Sequence, residues 1–257
     1  MKLTRLGHSC FVFELADGHR IMADPFLGEN PACPKSFLED DYLKTIDTVL
    51  LTHGHFDHAS GLSDLQRINP NVLVVAQYEF ALTLMEKGFS VFPLNFGGSY
   101  SIDGFRVTMV QAAHTSTFGE TEGSPLFAGL PCGFILEAES EETVYLSGDT
   151  TVMADMKIIQ DIYNPKTAIL SSSGQFVMGP REAAYAVKNL LNVKTVIPCH
   201  TFPKPEEAAD PARMKALISA FPVVENMTGR DEELKYLLKD ESTVDVKILD
   251  YGETSEI

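Results

Sequence analysis

Short apolar runs that alternate with helical spacing predict a layered α/β fold. Thr48-Val49-Leu50-Leu51 and Val72-Leu73-Val74-Val75-Ala76 have the length and β-branched content of buried strands. Leu62, Leu65 and Ile68 between them recur at helical spacing, and the pattern stops at Asn69-Pro70. A third observation is chemical: histidines and aspartates stand directly after several of the runs, where the ends of neighbouring strands could gather them. At 257 residues the chain can bury a substantial core, as one large domain or two smaller ones.

Composition narrows the partners. The apolar fraction of 44% and charged fraction of 22% are those of an ordinary globular protein. A formal net charge of −16 argues against a general nucleic-acid or anionic-membrane surface. Met1-Lys2-Leu3-Thr4-Arg5 is followed by no sustained apolar region, and no run approaches membrane-spanning length, so neither a signal peptide nor a membrane span is expected. Cys10, Cys33, Cys132 and Cys199 are scattered without a C-x-x-C pair. They read as small buried hydrophobes, and a reducing, cytoplasmic setting fits them.

Taken in order, Cys10 to Leu15 reads as a strand, Asp17-Gly18 as a hairpin turn, and Arg20 to Ala23 as the returning strand. His19 is expected to be an exposed turn residue. His8, just before the hairpin, reads as a satisfied structural histidine rather than an active-site one. Asp24-Pro25 ends the second strand as a turn. Residues 26–47 form a long aperiodic connection whose run Glu39-Asp40-Asp41 reads as solvated. Loops of that length are uncommon unless functional.

The run at 48–51 leads into Thr52-His53-Gly54-His55-Phe56-Asp57-His58, with three histidines and one aspartate in six positions. Imidazole nitrogen and carboxylate oxygen suit zinc and similar ions. In an extended segment His53 and His55 point the same way, Asp57 continues that parity and His58 breaks it. The spacing therefore suits two metals better than one, with His53 and His55 on the first and Asp57 and His58 on the second.

Residues 78–87 read as a helix closed by Gly88. Phe105 to Gln111 alternates as a strand and ends in Ala112-Ala113-His114. Residues 115–132, rich in Gly, Ser, Thr and Pro, read as a second long loop beside the site. The runs 133–137 and 143–147 bracket an acidic turn and lead into Ser147-Gly148-Asp149-Thr150, where Asp149 alone would be no more than a helix cap. A short strand at 168–170 precedes Ser171-Ser172-Ser173-Gly174-Gln175, and Pro180 suits the first turn of a helix over 181–191. Val193 to Cys199 is a buried strand ending at His200. A helix over 206–221, restarted at Asp210-Pro211, a closing strand over 244–249 and a frayed tail over 252–257 complete the reading.

His-x-His-x-Asp-His after a buried strand resembles the signature of the metallo-β-lactamase superfamily of dinuclear metallohydrolases. Asp24 resembles the aspartate that supports the metal loop there, His114 the third ligand motif, Ser147-Gly148-Asp149-Thr150 the bridging-carboxylate segment, and His200 the final ligand. Leu6-Gly7-His8-Ser9-Cys10, Phe176-Val177-Met178-Gly179-Pro180 and Val196-Ile197-Pro198-Cys199-His200 resemble a group of metal-dependent hydrolases related to the L-ascorbate-6-phosphate lactonase. The resemblance covers most of residues 1–202. Ser171 to Gln175 departs from it, since a glycine-rich, more apolar segment is expected there.

The resemblance implies one four-layer αββα sandwich domain over residues 1–257. It implies two divalent metal ions, zinc first with manganese or iron as alternatives. One would be held by His53, His55 and His114, the other by Asp57, His58 and His200, with Asp149 bridging and a hydroxide between them. Asp57 would also orient that hydroxide or carry a proton to the leaving group. The expected substrate is a small lactone, ester or phosphodiester. A non-catalytic metal sensor and a nucleic-acid phosphodiesterase are the alternatives, and the acidic surface disfavours the latter.

Overall fold

Two seven-stranded mixed sheets face each other in the computed structural model, which describes residues 1–102, 104–121, 124–139 and 141–257. The strands of the first half are β1 (Lys2–Gly7), β2 (Cys10–Glu14), β3 (Arg20–Ala23), β4 (Thr48–Leu50), β5 (Leu73–Gln77), β6 (Ser90–Leu94), β7 (Ser99–Ile102) and β8 (Phe105–Gln111). There follow β9 (Thr117–Thr121), β10 (Ser124–Phe127), β11 (Cys132–Ala138), β12 (Val144–Leu146), β13 (Thr167–Ser171), β14 (Thr195–Cys199), β15 (Asp245–Val246) and β16 (Thr254–Glu256). The helices are α1 (Asp40–Leu43), α2 (Phe56–Ala59), α3 (Leu62–Ile68), α4 (Tyr78–Glu86), α5 (Asp155–Tyr163), α6 (Pro180–Asn189), α7 (Pro211–Ala220) and α8 (Arg230–Leu238).

The strand order is β16-β1-β2-β3-β4-β5-β6 in one sheet and β15-β14-β13-β12-β11-β8-β7 in the other, with β9 and β10 a separate ribbon. Side-chain parity divides the core into three layers, because alternate residues of a strand face opposite sides. Leu50 and Val75 point inward to meet Phe134, Ile169 and Ile197 of the opposing sheet. Val49, Leu51 and Val74 point outward onto Leu65, Phe80 and Met214 of α3, α4 and α7. Ile135, Ala168 and Val196 do the same for α5, α6 and α8 through Met156, Val187 and Leu234. Each such fully buried aliphatic or aromatic side chain contributes about 1.5–3 kcal/mol relative to exposure. The four layers of the expected αββα sandwich are therefore present.

Direction matters more to the site than layering. In the first sheet β3, β4 and β5 are parallel, and β1 runs with them because β2 is antiparallel to both β1 and β3. In the second sheet β12, β13 and β14 are parallel, and β8 runs with them across antiparallel β11. The C-terminal ends of each set lie along one edge of its sheet, and His8, Asp24 and Thr52 leave the first while His114, Asp149 and His200 leave the second.

Several local readings change. The tail pairs with β1, Thr4 facing Thr254, where a frayed end was expected. The closing strand is only two residues long, and the helix expected over 206–221 starts at Pro211, with Asp210 capping the Arg213 N–H. The connection 26–47 contains α1, which buries Leu43, and the loop 115–132 contains the β9–β10 ribbon. The metal loop stays extended only as far as His55, because Phe56 to Ala59 turn into α2. His19 is not an exposed turn residue: its Nε2 lies 3.0 Å from Thr48 Oγ1. Within the loop 115–132 and the acidic turn after β11, Glu122, Gly123 and Ser140 fall outside the described residues, as does Asp103. Among the described residues no helix is long and apolar enough to cross a membrane.

Gly148 shows how tightly the two sheets meet at the site. Its φ is +59°, and a Cβ there would lie 2.3 Å from the Cys132 carbonyl oxygen and 3.1 Å from Thr52 Cβ. Both the left-handed backbone and the contact require glycine. Gly148→Ala is expected to cost about 2–3 kcal/mol. A calorimetric scan should show Tm falling by about 4–12 °C; an unchanged Tm would contradict the close approach.

Candidate metal centre

Asp149 is the centre of the site. The carboxylate is 2% exposed. Its Oδ2 lies 2.9 Å from His200 Nε2, 3.4 Å from His58 Nε2, 3.6 Å from His114 Nε2 and 3.9 Å from His53 Nε2. His55 joins through its Nδ1, 3.0 Å from His53 Nε2, and Asp57 Oδ2 lies 3.7 Å from His200 Nε2. All seven residues singled out as candidate ligands thus come together. Their ligand atoms form three overlapping groups: His53, His55 and His114; His53, His58 and Asp149; and Asp57, His58 and His200 with His8.

The orientation of the rings is set from behind. Thr52 Oγ1 donates to Asp24 Oδ2 at 2.8 Å, so it accepts from His53 Nδ1 at 3.0 Å. Asp24 Oδ2 also accepts from His58 Nδ1 at 2.8 Å, and its Oδ1 takes the Thr52 backbone N–H. Ser173 Oγ donates to the Gly174 carbonyl and accepts from His200 Nδ1 at 3.0 Å. In each case Nδ1 donates away from the centre and Nε2 faces it, so that Nε2 is the nitrogen a metal would meet once any proton on it is lost. This is how metal-binding histidines are generally fixed. Gly54 lets the loop lie against β9: its N–H donates to Ser116 Oγ, and a Cβ would meet the Thr117 carbonyl oxygen at 2.7 Å.

Two features mark the centre as built for cations. The buried His58 Nε2 and Asp149 Oδ1 have no hydrogen-bond partner. Leaving buried polar atoms unpaired is costly, and a cation supplies what they lack. Backbone strain is concentrated here as well, since His8, Asp24 and His200 adopt φ of +54°, +46° and +61°. Non-glycine residues are uncommon in that region, and such positions cluster at functional sites. The donor set of imidazoles and carboxylates suits zinc, and also manganese or iron.

His8 was read as a structural histidine rather than one lining the active site, and the structure places it behind the centre, against Asp57. It is fully buried, its Nε2 lies 3.1 Å from Asp57 Oδ2, and its ring stands 4.1 Å from that of His200 between centroids. The His200 N–H also donates to the His8 carbonyl oxygen. The missed signal was β1 itself: with Lys2–Gly7 recognised as a strand, His8 follows a strand end as the other candidates do. Ser173 was missed because it carries no ligand spacing, only a hydroxyl placed behind His200.

The carboxylates and imidazoles share charge. Burial alone would raise the Asp149 carboxyl, but His200 and His58 hold it well below the usual carboxylate range. Asp57 is likewise held low against burial, by hydrogen bonds from His200 and His8. For His58 burial opposes the charged form, yet Asp149 and Asp24 outweigh it and push the pKa well up. For His200 burial is likewise outweighed, here by Asp149 and Asp57, and the pKa is raised to about 9. His53 goes the other way: burial and the neighbouring His58 charge outweigh Asp149, and it is held neutral. Burial, together with His200, lowers His8 to about 4.

The Beta-lactamase superfamily domain matches residues 19–201. A "UPF0173 metal-dependent hydrolase" of Azorhizobium caulinodans is 40% identical over 210 residues, covering 79% of this chain and 87% of the relative. This chain belongs to that family of metal-dependent hydrolases. The Rubrobacter xylanophilus member is 38% identical over 219 residues, covering 82% of this chain and 88% of its own. Among solved structures, Igni18, a metallo hydrolase from Ignicoccus hospitalis, superposes with a TM-score of 0.78 at 28% identity, covering 100% of this chain and 98% of its own. This UPF0173 hydrolase has the metallo-β-lactamase fold.

The raised histidines predict a linkage. Below about pH 9 His200 holds a proton in the metal-free centre, and so does His58 at neutral pH, while a ligand nitrogen must be neutral. Zinc uptake at pH 7 should release about two protons. Calorimetric titration in buffers of different ionisation enthalpy should show that release, and affinity should weaken as the pH falls. Uptake without proton release would contradict the charge state assigned to the two rings.

Proposed function

We propose that this UPF0173 hydrolase binds two divalent metal ions and cleaves a small carbonyl ester or lactone. One observation carries the reading: a single buried carboxylate oxygen of Asp149 faces four histidine Nε2 atoms within 3.9 Å. His53, His55 and His114 are assigned to one ion, Asp57, His58 and His200 to the other, with Asp149 shared. A shared carboxylate offsets part of the repulsion between two cations. Zinc is the first choice, with manganese or iron as alternatives.

Bound divalent cations lower the pKa of coordinated water toward about 7 and polarise a carbonyl or phosphoryl oxygen. The chain's own residues do the rest. Asp57, ionised and lining the cavity above the centre, is assigned to orient the attacking water and to move a proton from it to the leaving oxygen. His8, hydrogen-bonded to Asp57, holds that carboxylate in place. Thr52, Asp24 and Ser173 keep three rings aimed. The net charge of −16 supports a small-molecule substrate over nucleic acid. Four buried free cysteines support a cytoplasmic location.

The test is turnover of p-nitrophenyl acetate, a γ-lactone and bis(p-nitrophenyl) phosphate by protein loaded with zinc, manganese or iron. Chelator-sensitive hydrolysis of the carbonyl substrates is expected. Asp57→Asn, with its metal content measured alongside, should lower kcat by about 10²–10⁴-fold. A folded, metal-loaded protein inert on the whole panel would favour the metal-sensor reading, and preference for the phosphate diester would move the activity to phosphoryl transfer.

A further inference from the structure

A cavity of about 560 Å³ opens above the metal centre, within the size range of small-molecule sites. Its floor is His55, Asp57, His114, Asp149 and His200, and its walls are of a different character. Phe118 comes from β9, Phe176 from the loop after β13, and Phe221 and Met227 from the segment that follows α7. Phe56, Phe176 and Phe221 are 52%, 53% and 54% exposed, so large apolar surface is left open around this cavity. Phe56 and Phe221 lie nearly parallel, 24° apart, with ring centroids separated by 6.4 Å. Exposed aromatic surface joined to a polar site is informative in a way that a single exposed leucine is not.

Charge points the same way. Among the described residues lining the cavity there is no lysine or arginine, and the charged side chains other than histidine are Asp57 and Asp149. Lys87 stands over the Phe118 ring, 5.9 Å from its centroid, but does not line the cavity. Sites that hold a phosphate or carboxylate away from a metal use arginine, lysine or the N-terminus of a helix. An anionic group at the far end of a substrate would find no such partner here, on a chain of net charge −16. The wall residues Phe221 and Met227 also lie beyond residue 201, outside the shared superfamily domain.

We propose that the substrate is an uncharged ester or lactone carrying a hydrocarbon arm, which lies along the wall formed by Phe118, Phe176, Phe221 and Met227. The bond that is cut rests on the hydrolase reading above; the chemistry of the arm rests on the wall alone. The substrate's carbonyl sits over the histidines and its arm displaces water from the phenylalanines.

Binding separates the two. Zinc-loaded protein is titrated calorimetrically with the n-alkanols from butanol to decanol, and with 8-hydroxyoctane-1-sulfonate, whose sulfonate is a poor zinc ligand, as the anionic counterpart of octanol. The dissociation constant should fall about fourfold per methylene, the factor given by ~0.8 kcal/mol per buried CH₂. 8-Hydroxyoctane-1-sulfonate should bind at least about tenfold more weakly than octanol, a penalty of ~1.4 kcal/mol. Phe176→Ala and Phe221→Ala alter side chains that are more than half exposed, so both should fold, as circular dichroism would verify. Each should weaken octanol more than butanol.

Affinity independent of chain length, or 8-hydroxyoctane-1-sulfonate binding as tightly as octanol, overturns the proposal even if esters are hydrolysed. Length-dependent binding without turnover of any p-nitrophenyl ester, acetate to decanoate, supports the apolar ligand and sinks the hydrolase reading. Length-dependent binding with kcat/KM rising along the ester series supports both.

Discussion

A carboxylate shut away from water and faced by four imidazoles is the constraint on which this structure turns. Asp149 can occupy that position only if positive charge is present, either as protons on His58 and His200 or as cations. The strand directions follow the same requirement. The chain brings donors from both sheets to one point because β1, β3 and β4 on one side, and β8, β12 and β14 on the other, end at the edge where the sheets meet. Gly148 lets the Asp149 segment pass beneath Cys132 and Thr52, which brings the second sheet's carboxylate against the first sheet's loop.

Precision comes from residues that are not candidate ligands themselves but hydrogen-bond the candidate ligands from behind. Asp24 reaches both Thr52 and His58, so one buried carboxylate fixes two of the metal-loop histidines. Ser173 does for His200 what Thr52 does for His53. Another link ties His200 to the C-terminal part of the chain. The adjacent Thr201 accepts from Arg5 and donates to Asp231, and Arg5 pairs with Asp231 at 2.9 Å. That buried network joins β1, the end of β14 and α8 under the site, so the last forty residues brace the centre as well as forming a cavity wall.

Much of this was legible in the sequence because the signals are local. The runs at β4, β5, β8, β11, β12 and β14 declare themselves as strands, and the candidate ligands follow β4, β8, β12 and β14, where the metal loop stood out by its own spacing and His114, Asp149 and His200 by the resemblance. What was illegible depends on contacts between distant segments. β16 is a short polar edge strand whose pairing with β1 has no periodicity to betray it. α8 has so much charge that its buried Leu234 and Leu238 make a weak stripe. His8 is one histidine after a strand containing a buried arginine, and its meeting with Asp57 is visible only in three dimensions. The segment after α7 is a short 3-10 turn with no periodicity to mark it, and only the cavity shows what its apolar residues face.

The central claim is that Asp149 is shared by two cations. Elemental analysis of bound metal, on untagged wild type and Asp149→Ala prepared identically, tests it most directly. The account predicts about two ions per chain in the wild type and clear loss in a variant that still folds. A wild type that stays empty or holds a single ion after reconstitution with zinc, manganese and iron, or a folded Asp149→Ala that keeps both, would contradict it.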